Sequence, residues 1–385
     1  MPTDNTLMFQ NHIKYVSKDH YGPVRFVDRW VGSAVLFVLG LIFSRKRPAP
    51  ADIRTVIIMK FDGIGDAVLV TGVARDLRAA LPGIRIVLVC GPFNYPLASL
   101  LAVFDELVCL SLTKPWKSVM ELRQKHADIC LDLGEWSRVE ALLSCFSGAK
   151  WTIGFRTPGQ HRHYAYDECL PLRFDQHELD NYRSLVQKLG VKTGHGPLIE
   201  LTERMRNMPA TFIPCKPFVI LHLWSGSATW ARLKEWPCEH WRELARWLND
   251  KGFMVYLTGG HGDQRRAEEF MTTCQWAGRR MESVAGLDFI TLIRTIEKAS
   301  LVVSIDTSIT HIAGALGTSV LSLHGPTSSK RWGPIGPRAE AIDSPVAGCG
   351  YMNWGADSNR RKAQLKCMEA IGLDEVIAKV ENMLR

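Results

Sequence analysis

The chemistry open to this chain begins with an aspartate behind two glycines. Lys60-Phe61-Asp62-Gly63-Ile64-Gly65-Asp66 follows a β-branched apolar run. The glycines let the backbone turn sharply and keep space beside it open. Asp66 falls at or near the N-cap of the next helix, where an aspartate caps well. The same residues also fit a carboxylate on a cleft floor, able to take a proton from a hydroxyl. The spacing is neither Gly-x-Gly-x-x-Gly nor a Walker A loop, which argues against a dinucleotide oxidoreductase.

Three more segments carry polar groups directly after apolar runs. Ser225-Gly226-Ser227 leads through an Arg-containing stretch to Lys234-Glu235-Trp236-Pro237. Its hydroxyls, amides and ammonium suit phosphate oxygens, and a solvated surface loop is the plainer alternative. Asp306-Thr307-Ser308 opens a helix, where free N–H groups and the helix dipole favour a phosphate. His311 lies one turn further, and reads equally as a hydrogen-bonded, partly buried histidine. Gly325-Pro326-Thr327 to Arg331-Trp332-Gly333-Pro334 is a turn of low specificity on the same expected cleft edge.

The elements that position these segments alternate. Strands are predicted at 55–59, 84–90, 106–110, 129–133 and 151–155, with helices at 67–80, 114–125, 137–146 and 181–189 between and after them. A stretch rich in Gly, Pro, Thr and Met spans 190–217. The rhythm then restarts, with strands at 218–224, 254–258, 301–305 and 320–323 and helices at 237–251, 263–274, 289–298, 308–316 and 374–384. Strand–helix alternation implies right-handed crossovers and parallel sheets. The fold class is therefore α/β, with two Rossmann-like doubly wound domains facing a central cleft. The expected units are an N-terminal extension (1–50), a first domain (51–205), a second domain (206–345) and a tail (346–385) packing back on the first domain.

Composition agrees with a globular protein. The chain has 385 residues, 46% hydrophobic and 22% charged, and a net charge of +8. That charge favours anionic partners, but the basic residues are scattered without a nucleic-acid motif, so no nucleic acid is expected. The ten cysteines form no Cys-x-x-Cys pair. They read as small buried thiols, with Cys349 and Cys367 the one pair to watch. Residues 30–43 are apolar and lead into Arg45, Lys46 and Arg47. The run is short of the ~20 residues a spanning helix needs. It fits either a monotopic anchor with its cations on anionic headgroups, or a helix packed on the protein's own surface.

Asp306-Thr307-Ser308, His311-Ile312-Ala313-Gly314-Ala315-Leu316-Gly317-Thr318, Leu323-His324-Gly325-Pro326-Thr327 and Arg331-Trp332-Gly333-Pro334 together resemble the signature of glycosyltransferase family 9. These are the bacterial heptosyltransferases of lipopolysaccharide core assembly. Gly63-Ile64-Gly65-Asp66 resembles the family's Leu-Gly-Asp turn, and Lys234-Glu235-Trp236-Pro237 its Lys-Arg-Trp-Pro. Cys367-Met368 is similar to the family's end. Asp-Thr-Ser stands where the family usually shows Asp-Thr-Gly, and Asp62 where it shows Ser or Thr.

The resemblance covers about 54–385 and implies a GT-B fold and an inverting transfer without an obligatory metal or other cofactor. It implies a nucleotide-sugar donor, by family default ADP-heptose, and a lipid-linked glycan or lipopolysaccharide acceptor. An N-terminal anchor would place the enzyme at an anionic inner-membrane surface, on the cytoplasmic face. Asp66 matches the family's catalytic base. Lys234, Thr307 and Ser308 match donor-phosphate positions, with Asp306, His311, Ser225, Gly226 and Ser227 beside them. Lys60, Asp62 and Gly65 fall at the acceptor or cleft side. Asp62 is expected either to raise the pKa of Asp66 by like-charge repulsion or to contact acceptor hydroxyls. The competing class is a non-catalytic nucleotide-sugar or glycolipid binding protein of the same fold.

Overall fold

The computed structural model describes residues 28–42, 47–110, 114–208, 212–226, 231–352 and 366–385. Ser227, Arg45 and Lys46, which carried expectations above, lie outside these residues. Helices of eight residues or more are numbered below.

The first unit holds β1 (Thr55–Met59), β2 (Arg85–Cys90), β3 (Glu106–Cys109), β4 (Ile129–Asp132), β5 (Trp151–Arg156) and β6 (Glu168–Pro171). Its sheet runs β3-β2-β1-β4-β5-β6. The second holds β7 (Phe218–His222), β8 (Met254–Leu257), β9 (Met281–Ser283), β10 (Leu301–Ile305), β11 (Val320–His324) and β12 (Ala339–Asp343), in the order β12-β11-β10-β7-β8-β9. Every strand pairing within the two sheets is parallel. Val56 to Met59 of β1 and all of β7 and β10 are buried, as continuous apolar strands covered on both faces should be. Both sheets reverse winding direction in the middle, between β1 and β4 and between β7 and β10. Loops leaving the strand C-termini there splay apart and open a crevice.

The helices are α1 (Ser33–Ile42), α2 (Ile64–Ala80), α3 (Pro115–Arg123), α4 (Arg138–Phe146), α5 (Glu178–Gln187), α6 (Cys238–Asp250), α7 (Gln264–Thr273), α8 (Phe289–Glu297), α9 (Ser308–Ala315) and α10 (Leu373–Leu384). α2 and α9 pack against each other across the two units. Val68, Leu69 and Val73 share one apolar core with Ile309, Ile312 and Ala313.

The C-terminal helix corrects an expectation. Its apolar stripe, Val376 and Val380, joins Leu244 and Leu248 of α6 in the second unit's core, not the first unit's. The indole of Trp236 donates to the Ile371 carbonyl at 2.9 Å, and Lys251 pairs with Glu381 at 3.1 Å. The thiol reading is corrected too. Cys349 and Cys367 form a disulfide across 18 residues, and Cys109, Cys215 and Cys238 are exposed.

The apolar N-terminal run forms α1 behind a π-helical turn, Asp28–Gly32. Leu36 and Leu39 pack on Ala141 and Cys145 of α4 and on Ala165 and Tyr166. Gly40 lets the Tyr164 ring approach, since a Cβ there would fall 2.4 Å from it. Asp28 accepts the backbone N–H groups of Arg138 and Val139 at 2.8 and 2.9 Å, so it caps α4 from outside. Among the described residues the other face is exposed, with Val31, Phe37 and Val38 about half exposed. Arg47 remains exposed, but its guanidinium is held by the buried Asp167 at 2.7 Å and by the Ala149 carbonyl, so its donors are engaged within the protein and not free for the expected headgroup contacts. Among the described residues no helix is long and apolar enough to cross a membrane.

Candidate functional site

Asp66 sits in the first turn of α2, directly after β1. Its Oδ1 accepts the Tyr182 hydroxyl at 2.7 Å and lies 3.8 Å from the Lys60 ammonium. Its Oδ2 has no hydrogen bond among the described residues. Gly63 makes this arrangement possible. At φ +80° it occupies the left-handed region, and a Cβ there would fall 1.8 Å from Oδ2. Gly65 serves differently: a Cβ would meet the His311 ring at 2.6 Å, so its absence lets the second unit's histidine touch the Asp66 turn.

Burial pushes the Asp66 carboxyl above its ordinary value, while the Lys60 charge and the Tyr182 hydrogen bond oppose the shift. Asp62 adds a smaller push in the expected direction, and its own side chain is exposed. Lys60 is itself buried, and burial works against its charge. Asp66, Glu135, Glu178 and Glu140 outweigh that and raise it, so Lys60 is a permanent cation on the cleft floor.

The facing wall is built by β7, β10 and α9. Lys234 ends a short 3-10 turn, Ala231–Lys234, and is 6% exposed. Its ammonium donates to the Asp306 carboxylate at 3.0 Å and the Asp306 carbonyl at 2.7 Å. Burial would raise Asp306, but the Lys234 charge overrides it and holds the carboxyl down at about 2. Lys234 and Asp306 thus form a desolvated pair instead of two independent ligands. Thr307 is the N-cap of α9, makes no side-chain cap, and has no acid in the turn it opens. That leaves the helix N-terminus receptive to an anion. Thr307 and Ser308 are half-buried at its mouth, Ser225 is buried, and Gly226 is exposed.

His311 is 6% exposed, and burial pushes it down to about 4, so its ring is neutral at pH 7. Its Nδ1 has no partner among the described residues. Those residues hold no cluster of three or more His, Cys, Asp or Glu fit to hold a metal ion. The arrangement can therefore accept a proton at Asp66 and stabilise anionic charge at Lys234 and the α9 amides, with His311 between the two walls.

Four contributors escaped the sequence reading. Tyr182 lies inside a predicted helix with no motif around it, yet it holds Asp66. Glu135 follows β4 and Glu178 opens α5, and both bind Arg331 at 2.9 Å. Burial beside Glu178 pushes Glu135 up to about 8. Arg331 was visible only as one residue of a turn and of the family signature, with no role attached, because its partners lie 196 and 153 positions away.

Comparison with known proteins adds a second line. The model of glycosyltransferase family 9 (heptosyltransferase) matches residues 116–351. Lipopolysaccharide heptosyltransferase 1 of Escherichia coli O18:K1:H7 (strain RS218) is 26% identical over 313 residues, which is 75% of this chain and 91% of that protein. Among solved structures, E. coli ADP-heptose lipopolysaccharide heptosyltransferase II gives a TM-score of 0.68 at 21% identity, covering 86% of this chain and 98% of that one. A family 9 glycosyl transferase from Veillonella parvula DSM 2008 gives 0.73 at 18%, covering 87% and 98%.

Proposed function

The chain belongs to glycosyltransferase family 9, and from that premise we propose an inverting, metal-independent transfer from a nucleotide-sugar to a hydroxyl of a lipopolysaccharide core or other lipid-linked glycan. ADP-heptose is the donor to try first, since the E. coli structural neighbour is described as an ADP-heptose enzyme. The observation that carries the reading is the bare Oδ2 of Asp66 opposite the buried Lys234–Asp306 pair and the uncapped start of α9.

The step is a single displacement. The acceptor oxygen bonds to the anomeric carbon as Asp66 Oδ2 takes its proton. The bond from that carbon to the diphosphate breaks on the opposite face, inverting the configuration. Charge then grows on the leaving diphosphate, where Lys234 and the amides at Thr307 and Ser308 act most strongly. The test is ADP release from ADP-heptose by protein dialysed against EDTA, with the product's anomeric configuration read by NMR. Activity that needs added metal, or a retained configuration, overturns the corresponding part. A thermal-stabilisation screen of nucleotide-sugars identifies the donor, because a ligand of the folded state alone raises the melting temperature. Binding without turnover of any donor would favour a non-catalytic glycan-binding role.

The pH profile follows from the site. Asp66 must be ionised to act, so kcat falls as pH drops through its pKa. That acid limb lies above the ordinary aspartate range, because burial raises the carboxyl. Asp62→Asn removes a like charge and moves the limb to lower pH. Tyr182→Phe removes a hydrogen bond to the ionised form and moves it higher. A limb that stays put in both variants would detach it from Asp66.

The exposed face of α1 supports attachment to an anionic inner-membrane surface on its cytoplasmic side. Deleting the extension would also remove the Asp28 cap, so a milder change is the better test. Val35→Asp with Val38→Asp is expected to weaken sedimentation with phosphatidylglycerol vesicles by about tenfold or more, leaving ADP affinity unchanged. Undiminished vesicle binding would refute the attachment.

A further inference from the structure

The first turn of α5 is gripped by the other unit. Arg331 is 2% exposed and lies wholly within the interface. Its guanidinium carbon stands 4.8 Å from the Phe174 ring centre and 4.7 Å from that of Trp332. Nη2 donates to Glu135 and to Glu178, both at 2.9 Å, and Nε donates to Glu178 at 3.1 Å. Phe174, Glu135 and Glu178 belong to the first unit, Arg331 and Trp332 to the second. Two residues on, the Gly333 carbonyl accepts from His177 Nε2 at 2.9 Å. His177 Nδ1 accepts the Leu179 N–H at 3.1 Å, which makes the ring neutral with its proton on Nε2. One histidine therefore caps α5 and ties that cap to the second unit.

Glu178 and Tyr182 are four residues apart on α5, one helical turn, and so share a face. Tyr182 is fully buried and donates to Asp66 Oδ1. A continuous path thus runs from Arg331 through Glu178 and Tyr182 to the Asp66 carboxylate. Removing the guanidinium would leave Glu178 buried beside Glu135 without its cation, at a cost in a low-dielectric interior. With the second unit undocked, the first turn of α5 loses Arg331 and the Gly333 carbonyl, and Glu178 is left buried without its cation. Leu179, Tyr182 and Leu185 still pack in the first unit's core, so the loss reaches Tyr182 as a small displacement of the helix and not as its release.

We propose that Arg331 is a positioning residue that couples docking of the two units to the orientation of Asp66, acting through α5. This rests on Asp66 being the base. Tyr182 fixes Oδ1 and leaves Oδ2 aimed at the acceptor, so the proton acceptor is set only when the donor-binding unit is in place. A donor bound to an undocked second unit then meets no activated water, which limits wasteful hydrolysis.

The test is a double-mutant cycle with ADP-heptose turnover, ADP calorimetry and small-angle scattering. Arg331→Gln is expected to lower kcat by 10- to 100-fold, to change the ADP dissociation constant by less than threefold, and to enlarge the radius of gyration. Its acid limb should move to higher pH, as Tyr182→Phe moves it. The double variant should be no worse than Arg331→Gln alone, because both act on one oxygen. Losses that multiply, or an Arg331→Gln enzyme with parental turnover and dimensions, overturn the proposal. Arg331→Lys keeps the charge but not the planar fork, and should recover only part of the rate. If Arg331→Gln fails to fold, Glu178→Gln carries the same test, since it keeps the shape and one acceptor. Failure of the base reading is separable: Asp66→Ala would then turn over normally, while scattering on Arg331→Gln still reports whether the latch holds the units together.

Discussion

Asp66→Ala is expected to fold, to bind ADP within about twofold of the parent, and to lose roughly 100- to 10,000-fold in kcat, the range a positioned general base contributes. Folding should survive because the carboxylate is already strained by its setting. Burial raises it, and the Lys60 it faces keeps the Glu178 carboxylate as a more distant counter-charge. ADP affinity should survive because the polar partners of Asp66 among the described residues, Tyr182 and Lys60, both belong to the first unit, and it makes no hydrogen bond or ion pair to Lys234 or to α9. The measurement is ADP release under saturating donor and acceptor, beside calorimetry with ADP alone. Near-parental turnover in a folded Asp66→Ala enzyme would remove Asp66 from the chemistry, and a matched loss of ADP affinity would relocate it to the donor site.

The second large effect is expected at Lys234, where stability and binding must be told apart. Lys234 and Asp306 are 6% and 5% exposed and 3.0 Å apart. Lys234→Ala therefore strands a buried carboxylate, at a cost of about 3–5 kcal/mol, and the melting temperature should fall by several degrees. It also removes the cation nearest the expected diphosphate, so ADP affinity should fall at least tenfold. A weakened fold alone can mimic the second loss. The double variant Lys234→Ala with Asp306→Asn separates them, because a neutral amide no longer needs a counter-ion. Most of the lost stability should return, and ADP affinity should stay weak. An affinity that returns together with stability would make Lys234 a structural residue and leave the α9 amides as the anion site.

The strands most plainly legible in the sequence are those buried on both faces, although the edge strand β3 was also read, from its apolar run. β1, β7 and β10 are unbroken β-branched or leucine-rich runs, and a parallel strand covered on each side must be apolar throughout. The edge strands β6, β9 and β12 escaped. Glu168–Pro171, Met281–Ser283 and Ala339–Asp343 are short, and each carries an acidic residue. An edge strand needs only one hydrogen-bonded neighbour and often displays charge.

The site divides along the same line. Asp66, Thr307 and Ser308 were legible because turn geometry and helix capping restrict residue type within a few positions. Lys234 was legible as a cation, but its burial against Asp306 was not, since a pair 72 positions apart leaves no local mark. Tyr182 stands in no motif, and Arg331 stands in one that says nothing of its partners. Their roles exist only once two units are placed face to face.

The Asp28 cap on α4 has one more consequence. With Leu36 and Leu39 buried on α4 and Asp28 tied to its first turn, the apolar stripe of α1 cannot swivel against the first sheet. Any surface that holds this stripe holds the crevice at a fixed tilt and height. On the attachment proposed above, the search for a lipid-borne acceptor is confined to a plane, with two lateral coordinates and one rotation left to sample, and the first unit is the stationary platform.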